Sequence, residues 1–186
     1  MIRELETTRL WLRPLCLEDA QQVQPLFAQW DVVRYLNDKV PWPYPEDGVA
    51  AYYREIALPA MERGEEWHWT LRRKDEPEQP IGAIGLMRND RESNRGFWLA
   101  PRWHGRGLMS EAVIAVNDFW FNELGFAVLR APKAIGNAAS RRISEKTGMR
   151  VVERSVKGYV SGQHATEMWE INAQEWHAWR IAHPTE

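Results

Sequence analysis

Gly96-Phe97-Trp98-Leu99-Ala100-Pro101-Arg102-Trp103-His104-Gly105-Arg106-Gly107-Leu108-Met109-Ser110-Glu111-Ala112 reads as a strand, a turn and the start of a helix. Within it, Arg102-x-x-Gly105-x-Gly107 falls where the chain reverses. The two glycines permit close approach and unusual dihedrals beside a helix amino end whose first amides lack partners. An oxygen-rich anion, pyrophosphate above all, fits such a place. Pro101 cannot donate to a neighbouring strand, so pairing is interrupted just after Leu99 and Ala100. The same glycines also suit a plain tight turn with Arg102 solvated. The segment has no Lys-Ser or Lys-Thr of a P-loop, and Gly105-x-Gly107-x-x-Ser110 misses the third glycine of a dinucleotide fingerprint.

Working outward, Leu10, Leu12 and Leu15 suggest a strand over Thr8 to Leu15, and Leu17-Glu18-Asp19 opens a helix through Phe27 whose two carboxylates suit its positive end. Pro41-Trp42-Pro43-Tyr44-Pro45 is a rigid loop, because alternate residues lack an amide hydrogen. Val49, Tyr52, Tyr53, Ile56 and Ala60 then recur at helical spacing. Glu66 to Arg73 alternates, with Trp67, Trp69 and Leu71 on one side, and predicts a half-buried strand. Ile81 to Met87 and Phe97 to Leu99 are extended, separated by the polar turn Asp90 to Asn94. Downstream, the pattern predicts a helix over 108–123, a strand over 127–133, a helix over 138–146, strands over 150–155 and 166–171, and a short helix over 174–180. The expected architecture is α/β, helices over a mixed, largely antiparallel sheet, in one domain spanning 1–186.

With 44% hydrophobic and 27% charged residues, the chain can bury a sizeable core. A net charge of −2 gives no field that would draw it to nucleic acid or an anionic membrane. No apolar run approaches the roughly 20 residues of a membrane helix, and the first residues lack a signal-peptide layout, so a cytoplasmic protein is expected. Cys16, the only cysteine, excludes an internal disulfide and a thiolate-rich metal site; it reads as structural, and no metal is expected. Eleven tryptophans are more than a core of this size needs, so some should line a pocket or an interface.

The segment resembles the acetyl-CoA signature of the GNAT acyltransferase superfamily: Arg or Gln, two residues, Gly, one residue, Gly or Ala. Thr7-Thr8-Arg9-Leu10-Trp11-Leu12-Arg13-Pro14-Leu15 with Asp19-Ala20 is similar to the opening of the branch containing the ribosomal-protein amino-terminal acetyltransferases of RimJ and RimL type. Asn137-Ala138-Ala139-Ser140, followed by Glu145-Lys146-Thr147-Gly148-Met149, resembles that branch's later cofactor motif. The resemblance implies a GNAT fold with a V-shaped opening between two parallel strands, one ending near Ala100 and one beginning near Ala127. The pantetheine arm of acetyl-CoA would lie there against main-chain groups of Leu99 and Ala100. Amides from Trp103, His104, Gly105, Arg106, Gly107, Leu108 and Met109 would hold the pyrophosphate, with Arg102 beside them and Asn137 on the pantetheine or thioester.

The implied reaction is direct acetyl transfer to an amine, either a protein amino terminus or a small molecule. Ser140 is the implied proton donor to the departing thiolate, although serine also caps helices; many relatives use a tyrosine farther along, where this chain has Ser144. Relatives often carry a glutamate base where this chain has Asn94, which leaves Glu92, His68 and His164 as candidates. Trp30, Tyr35, Trp42 and Tyr44 correspond to the wall of the amine site and equally suit a core with a stiff loop. A monomer or homodimer is expected. Non-catalytic acyl-CoA binding, as a sensor or partner protein, is the alternative left by the missing glutamate, and a nucleotide-binding domain is a third reading.

Overall fold

The computed structural model describes residues 2–88 and 93–184. Glu92 and most of the Asp90 to Asn94 turn therefore lie outside the described residues. In chain order the elements are β1 (Leu5–Glu6), β2 (Leu10–Pro14), α1 (Ala20–Phe27), α2 (Trp30–Val33), α3 (Gly48–Tyr52), α4 (Leu58–Glu62), β3 (Glu66–Arg73), β4 (Glu76–Met87) and β5 (Arg95–Leu99). There follow α5 (Leu108–Asp118), β6 (Val128–Ala134), α6 (Ala138–Lys146), β7 (Arg150–Tyr159), β8 (Gly162–Asn172) and α7 (Ala173–Ala182). The α/β architecture implied by the sequence is present, with every ladder antiparallel and the strands divided into a five-stranded sheet, β1-β2-β3-β4-β5, and a three-stranded one, β6-β8-β7.

Several boundaries differ from the sequence pattern. A π-helical turn, Tyr53–Ala57, joins α3 to α4 and rotates the apolar stripe to Val49, Tyr53, Ala57 and Ala60, which leaves Tyr52 and Ile56 exposed. A second such turn, Phe119–Glu123, extends α5. Strand β4 starts five residues before Ile81, because bulges opposite Arg72 and Arg73 absorb Pro77 and Pro80. Strands β7 and β8 form a longer hairpin than their apolar residues indicate, since β7 is mostly exposed and polar. Asp19 does not cap a helix: its carboxylate turns inward, accepting from Arg72 Nη2 at 2.5 Å and Thr70 Oγ1 at 3.0 Å.

Alternation along β5 divides the interior. Phe97 and Leu99 pack into the main core with Trp69, Val113, Trp120, Leu129 and Ile171, under α5. Trp98 points the other way, into a smaller core with Val23, Val49, Tyr53 and Phe27, under α1, α3 and α4. The two helix groups thus cover opposite faces of the sheet.

The sheets meet at one point. Asn94 N–H donates to Arg130 O at 2.7 Å, Arg130 N–H returns a bond to Asn94 Oδ1 at 3.0 Å, and Asn94 Nδ2 donates to Met87 O at 3.0 Å. Three residues farther along each strand, Phe97 and Lys133 still face one another, so β5 and β6 run in the same direction. Pairing stops between them because Arg130 directs its N–H toward β5, strand alternation puts the next such donor at 132, and Pro132 has none. The strands separate from Asn94 onward into the V-shaped opening that the family resemblance implies.

Asn94→Ala should loosen this vertex. It removes two partly buried hydrogen bonds, to the Met87 carbonyl and from the Arg130 amide, at a combined cost of about 1–3 kcal/mol. Thermal unfolding should show Tm falling by roughly 2–4 °C per kcal/mol for a chain of this size; an unchanged Tm would mean that the clasp bears no load.

Candidate functional site

The glycine segment sits at the mouth of this opening. Ala100 N–H donates to Ile81 O at 2.9 Å, so Ala100 is tied to β4 and does not face the opening. By alternation the main-chain groups of Phe97 and Leu99 do face it, and Leu99 O accepts from His104 Nε2 at 2.7 Å. Pro101–Trp103 form a 3₁₀ turn in which Trp103 N–H and His104 N–H are taken by Ala100 O and Pro101 O. The anion cradle implied over 103–109 therefore narrows to the amides from Gly105 to Met109. Gly105 and Gly107 both occupy the left-handed region, at φ 73° and 76°, and Gly107 is the N-cap of α5. The Leu108 and Met109 side chains are buried in the main core, which leaves only their backbone for a ligand.

Three residues that the sequence pattern did not single out hold this loop. Glu111, in the first turn of α5, accepts from Thr7 Oγ1, from Arg9 N–H at 2.6 Å and from Arg9 Nε at 2.8 Å. Arg9 Nη1 also donates to Arg106 O at 2.9 Å. Burial pushes the Glu111 carboxyl up, but the bonds from Thr7 and Arg9 together outweigh it and hold it below its ordinary value. Thr7 and Arg9 lie in the amino-terminal stretch whose resemblance was noted, but their partner is a hundred residues away.

Beside the loop, a cavity of about 340 Å³ is lined by Arg73, Glu76, Gln79, Arg102, Trp103 and Arg106. The Arg73, Arg106 and Arg102 guanidinium carbons lie 4.2, 4.8 and 5.3 Å from the Trp103 ring centre. Arg73 is neutralised by Asp75 and Glu76, whereas Arg102 and Arg106 have no ion pair among the described residues. A phosphate-rich ligand would therefore meet net positive charge here.

Across the opening, β6 leads through Ile135 and Gly136 to Asn137. The Asn137 carboxamide oxygen caps α6 by accepting from Ser140 N–H at 3.3 Å. Ser140 is buried at that helix start, and Ser144 is fully buried with its hydroxyl unpartnered. The Tyr35 hydroxyl lies 2.9 Å from where a Cβ on Gly136 would stand, which puts Tyr35 next to this turn.

The four aromatic residues of the expected amine wall do not form one group. Trp30 and Trp42 contact each other at 5.3 Å on the surface. Tyr44 packs on Phe27, which in turn packs on Trp98; burial pushes the Tyr44 phenol up to about 12. Tyr35 packs edge-on against His164, whose Nε2 is 2.8 Å from Ser161 Oγ. Tyr44 also lines a cavity of about 660 Å³ between α1 and α3, with Glu18, Glu46, Asp47 and Arg54.

On that same face His68 lies in β3 with Nε2 2.5 Å from Glu66 Oε2. Its ring covers Gly85, where an added Cβ would stand 2.3 Å from Nδ1. Gly85 is paired with Gly96 of β5, so no side chain separates the imidazole from the opening at this level. Although Tyr52 keeps part of its side chain in water, loss of solvent around its hydroxyl, then the Glu66 charge, push the phenol up to about 12. Glu66 escaped the sequence reading because a carboxylate two residues from a histidine is unremarkable until a strand places both on one face. Cys16 stands apart, its thiol pushed up by burial and by Asp19. Among the described residues no cluster of three His, Cys, Asp or Glu side chains could hold a metal ion, and no helix is long and apolar enough to cross a membrane.

The fold has many solved counterparts. Mycobacterium smegmatis RimJ, determined in complex with CoA-disulfide, superposes with a TM-score of 0.81 at 15% identity, over 98% of this chain and 95% of that one. Spermidine N-acetyltransferase from Vibrio cholerae, determined with CoA and spermine, superposes with a TM-score of 0.75 at 17% identity, over 90% of this chain and 98% of that one. In sequence, the Bacillus subtilis (strain 168) protein named uncharacterized N-acetyltransferase YoaA is 30% identical over 151 residues, which is 77% of this chain and 81% of the relative. The family profile described as Acetyltransferase (GNAT) domain matches residues 9–150, which takes in the Arg9 brace, the Asn94 vertex, the glycine loop and the Asn137 turn. With a glycine-capped helix above a strand opening and the profile running across both, the chain belongs to the GNAT acetyltransferase family, whose chemistry is acyl transfer from acyl-CoA to an amine.

Proposed function

We propose that this chain transfers the acetyl group of acetyl-CoA to a primary amine, a protein amino terminus or a small molecule, with both reactants bound at once. The observation that carries the reading is a run of amides, Gly105 to Met109, at a helix amino end directly above strands that part at Asn94. These amides and the Arg102 and Arg106 side chains would hold the phosphates, and Leu99 and Asn137 would face the arm. Acetyl-CoA supplies an activated acyl carbon and a thiolate leaving group.

The chain's own groups then have separable tasks. An amine arrives as an ammonium and must lose a proton. His68, oriented through one ring nitrogen by Glu66, keeps the other nitrogen as the acceptor for it. Ser140, at the start of α6, would return a proton to sulfur. Glu18, Glu46 and Asp47 around the larger cavity outnumber Arg54 and favour a cationic acceptor on the face that His68 serves. Holding both reactants together supplies effective molarities on the order of 10⁵ to 10⁸ M, so no single side chain need dominate.

Calorimetric titration with coenzyme A, followed by thiol release from acetyl-CoA across a panel of peptide and small amines, tests the reading. Binding followed by release with at least one amine is expected. Tight binding with no release on any amine would leave a non-catalytic binding protein, and no binding would end the proposal. Ser140→Ala should lower turnover by about 10-fold or more with little change in CoA affinity; equal turnover would remove its role.

A further inference from the structure

We infer that Lys133 is an internal acceptor: its amine lies over Phe97 on the α5 side of the opening between β5 and β6 and is itself acetylated by bound acetyl-CoA. The inference rests on the reading of the opening as the acyl-CoA site. Lys133 shares a strand face with Leu129 and Ala131, so its side chain points to the α5 side, and the residue is only 7% exposed. Its Nζ lies 4.4 Å from the ring centre of Phe97, across the opening, and makes no hydrogen bond or ion pair among the described residues.

The surroundings explain why this amine is left without a counter-charge. Its cross-strand neighbour on β8 is Glu167, but that carboxylate is engaged by Arg141 of α6 at 2.8 Å and by Arg154 of β7 at 3.4 Å. From β5 comes a second cation, Arg95, fully buried and bound to Asn117 Oδ1 of α5 at 2.6 Å. Burial, then the Arg95 charge, pull the Lys133 ammonium down to about 7. About half of the amine is thus uncharged at neutral pH, far more than for an ordinary lysine, and the uncharged form is the one an acetyl acceptor must reach. In the reaction the Nζ lone pair attacks the thioester carbonyl carbon, a C–N bond forms, the C–S bond breaks, and the surplus proton of nitrogen passes to the coenzyme A thiolate. The product is a neutral amide, which no longer carries the charge that burial beside Arg95 disfavours.

The test incubates the full chain with acetyl-CoA and no added amine, maps acetylated peptides by mass spectrometry, and measures coenzyme A binding on the same preparation. One acetyl group per chain is expected on the peptide containing Lys133. At pH 7 it should form at least about 100-fold faster than on exposed lysines such as Lys39 and Lys146. Lys133→Arg and the uncharged Lys133→Met should both remove that peptide's modification; using two variants guards against one failing to fold. If coenzyme A binds and Lys133 stays unmodified, or is modified no faster than in the urea-unfolded chain, the inference is overturned while the parent reading stands. If coenzyme A does not bind, both fall.

Discussion

Gly107→Val is expected to weaken coenzyme A binding by about 10- to 100-fold while leaving most of the fold intact. Gly107 holds φ at 76°, a conformation that a β-branched side chain adopts only under strain, on the order of 1–3 kcal/mol. An added Cβ would also stand 3.4 Å from Arg9 Nη2, so the valine methyls would press on the guanidinium that holds the Arg106 carbonyl. The amides of 105–109 would then no longer converge. Gly105→Ala is the informative companion: its φ is 73° but no atom lies within 4 Å of the added Cβ, so backbone strain acts alone and the loss should be smaller. Calorimetric titration of both variants decides the matter, and wild-type affinity in Gly107→Val would count against the cradle.

The second large effect concerns the base. His68→Ala should lower turnover by about 10²- to 10³-fold, as expected for loss of a general base, with coenzyme A affinity within about 2-fold of the parent because His68 and α5 lie on opposite faces of the sheet. Gly85→Ala should reproduce much of that loss without touching the imidazole, since its Cβ would stand 2.3 Å from His68 Nδ1 and the ring must move. Thiol-release rates measured at saturating amine separate these outcomes. If both variants turn over as the parent does, the base is elsewhere, and His164, beside Tyr35 near the Asn137 turn, is the next residue to replace.

The clasp at Asn94 and the dyad at His68 bear on each other. A carboxylate at 94 would give up the amide nitrogen that donates to Met87 O, so the residue that replaces the familiar glutamate has taken on a structural task at the vertex. In the proposed mechanism the proton-accepting role falls to His68, two strands away. Loss of one side chain need not mean loss of activity, because the Gly85–Gly96 pair leaves the path from His68 to the opening free of side chains.

How much of this was written in the chain depends on the range of the interaction. Local backbone constraints determined the strand-turn-helix at 96–112, the anion-suited glycines at 105 and 107, the rigid loop over Pro41 to Pro45 and the helix stops after α5 and α6, because φ limits and unpartnered amides act within a few residues. The V-shaped opening was legible only through family resemblance, although its cause, the missing N–H of Pro132, stands in plain sight. That proline has meaning only once β8 occupies the other edge of β6 and leaves 130 and 132 facing β5. Only the tertiary structure decided that Thr7 and Arg9 brace Glu111, that Glu66 orients His68, that Trp30, Tyr35, Trp42 and Tyr44 separate, and that Lys133 is stranded beside Arg95. Each of these depends on which residues distant in sequence share a face, and on how much water that contact removes, which no local pattern encodes.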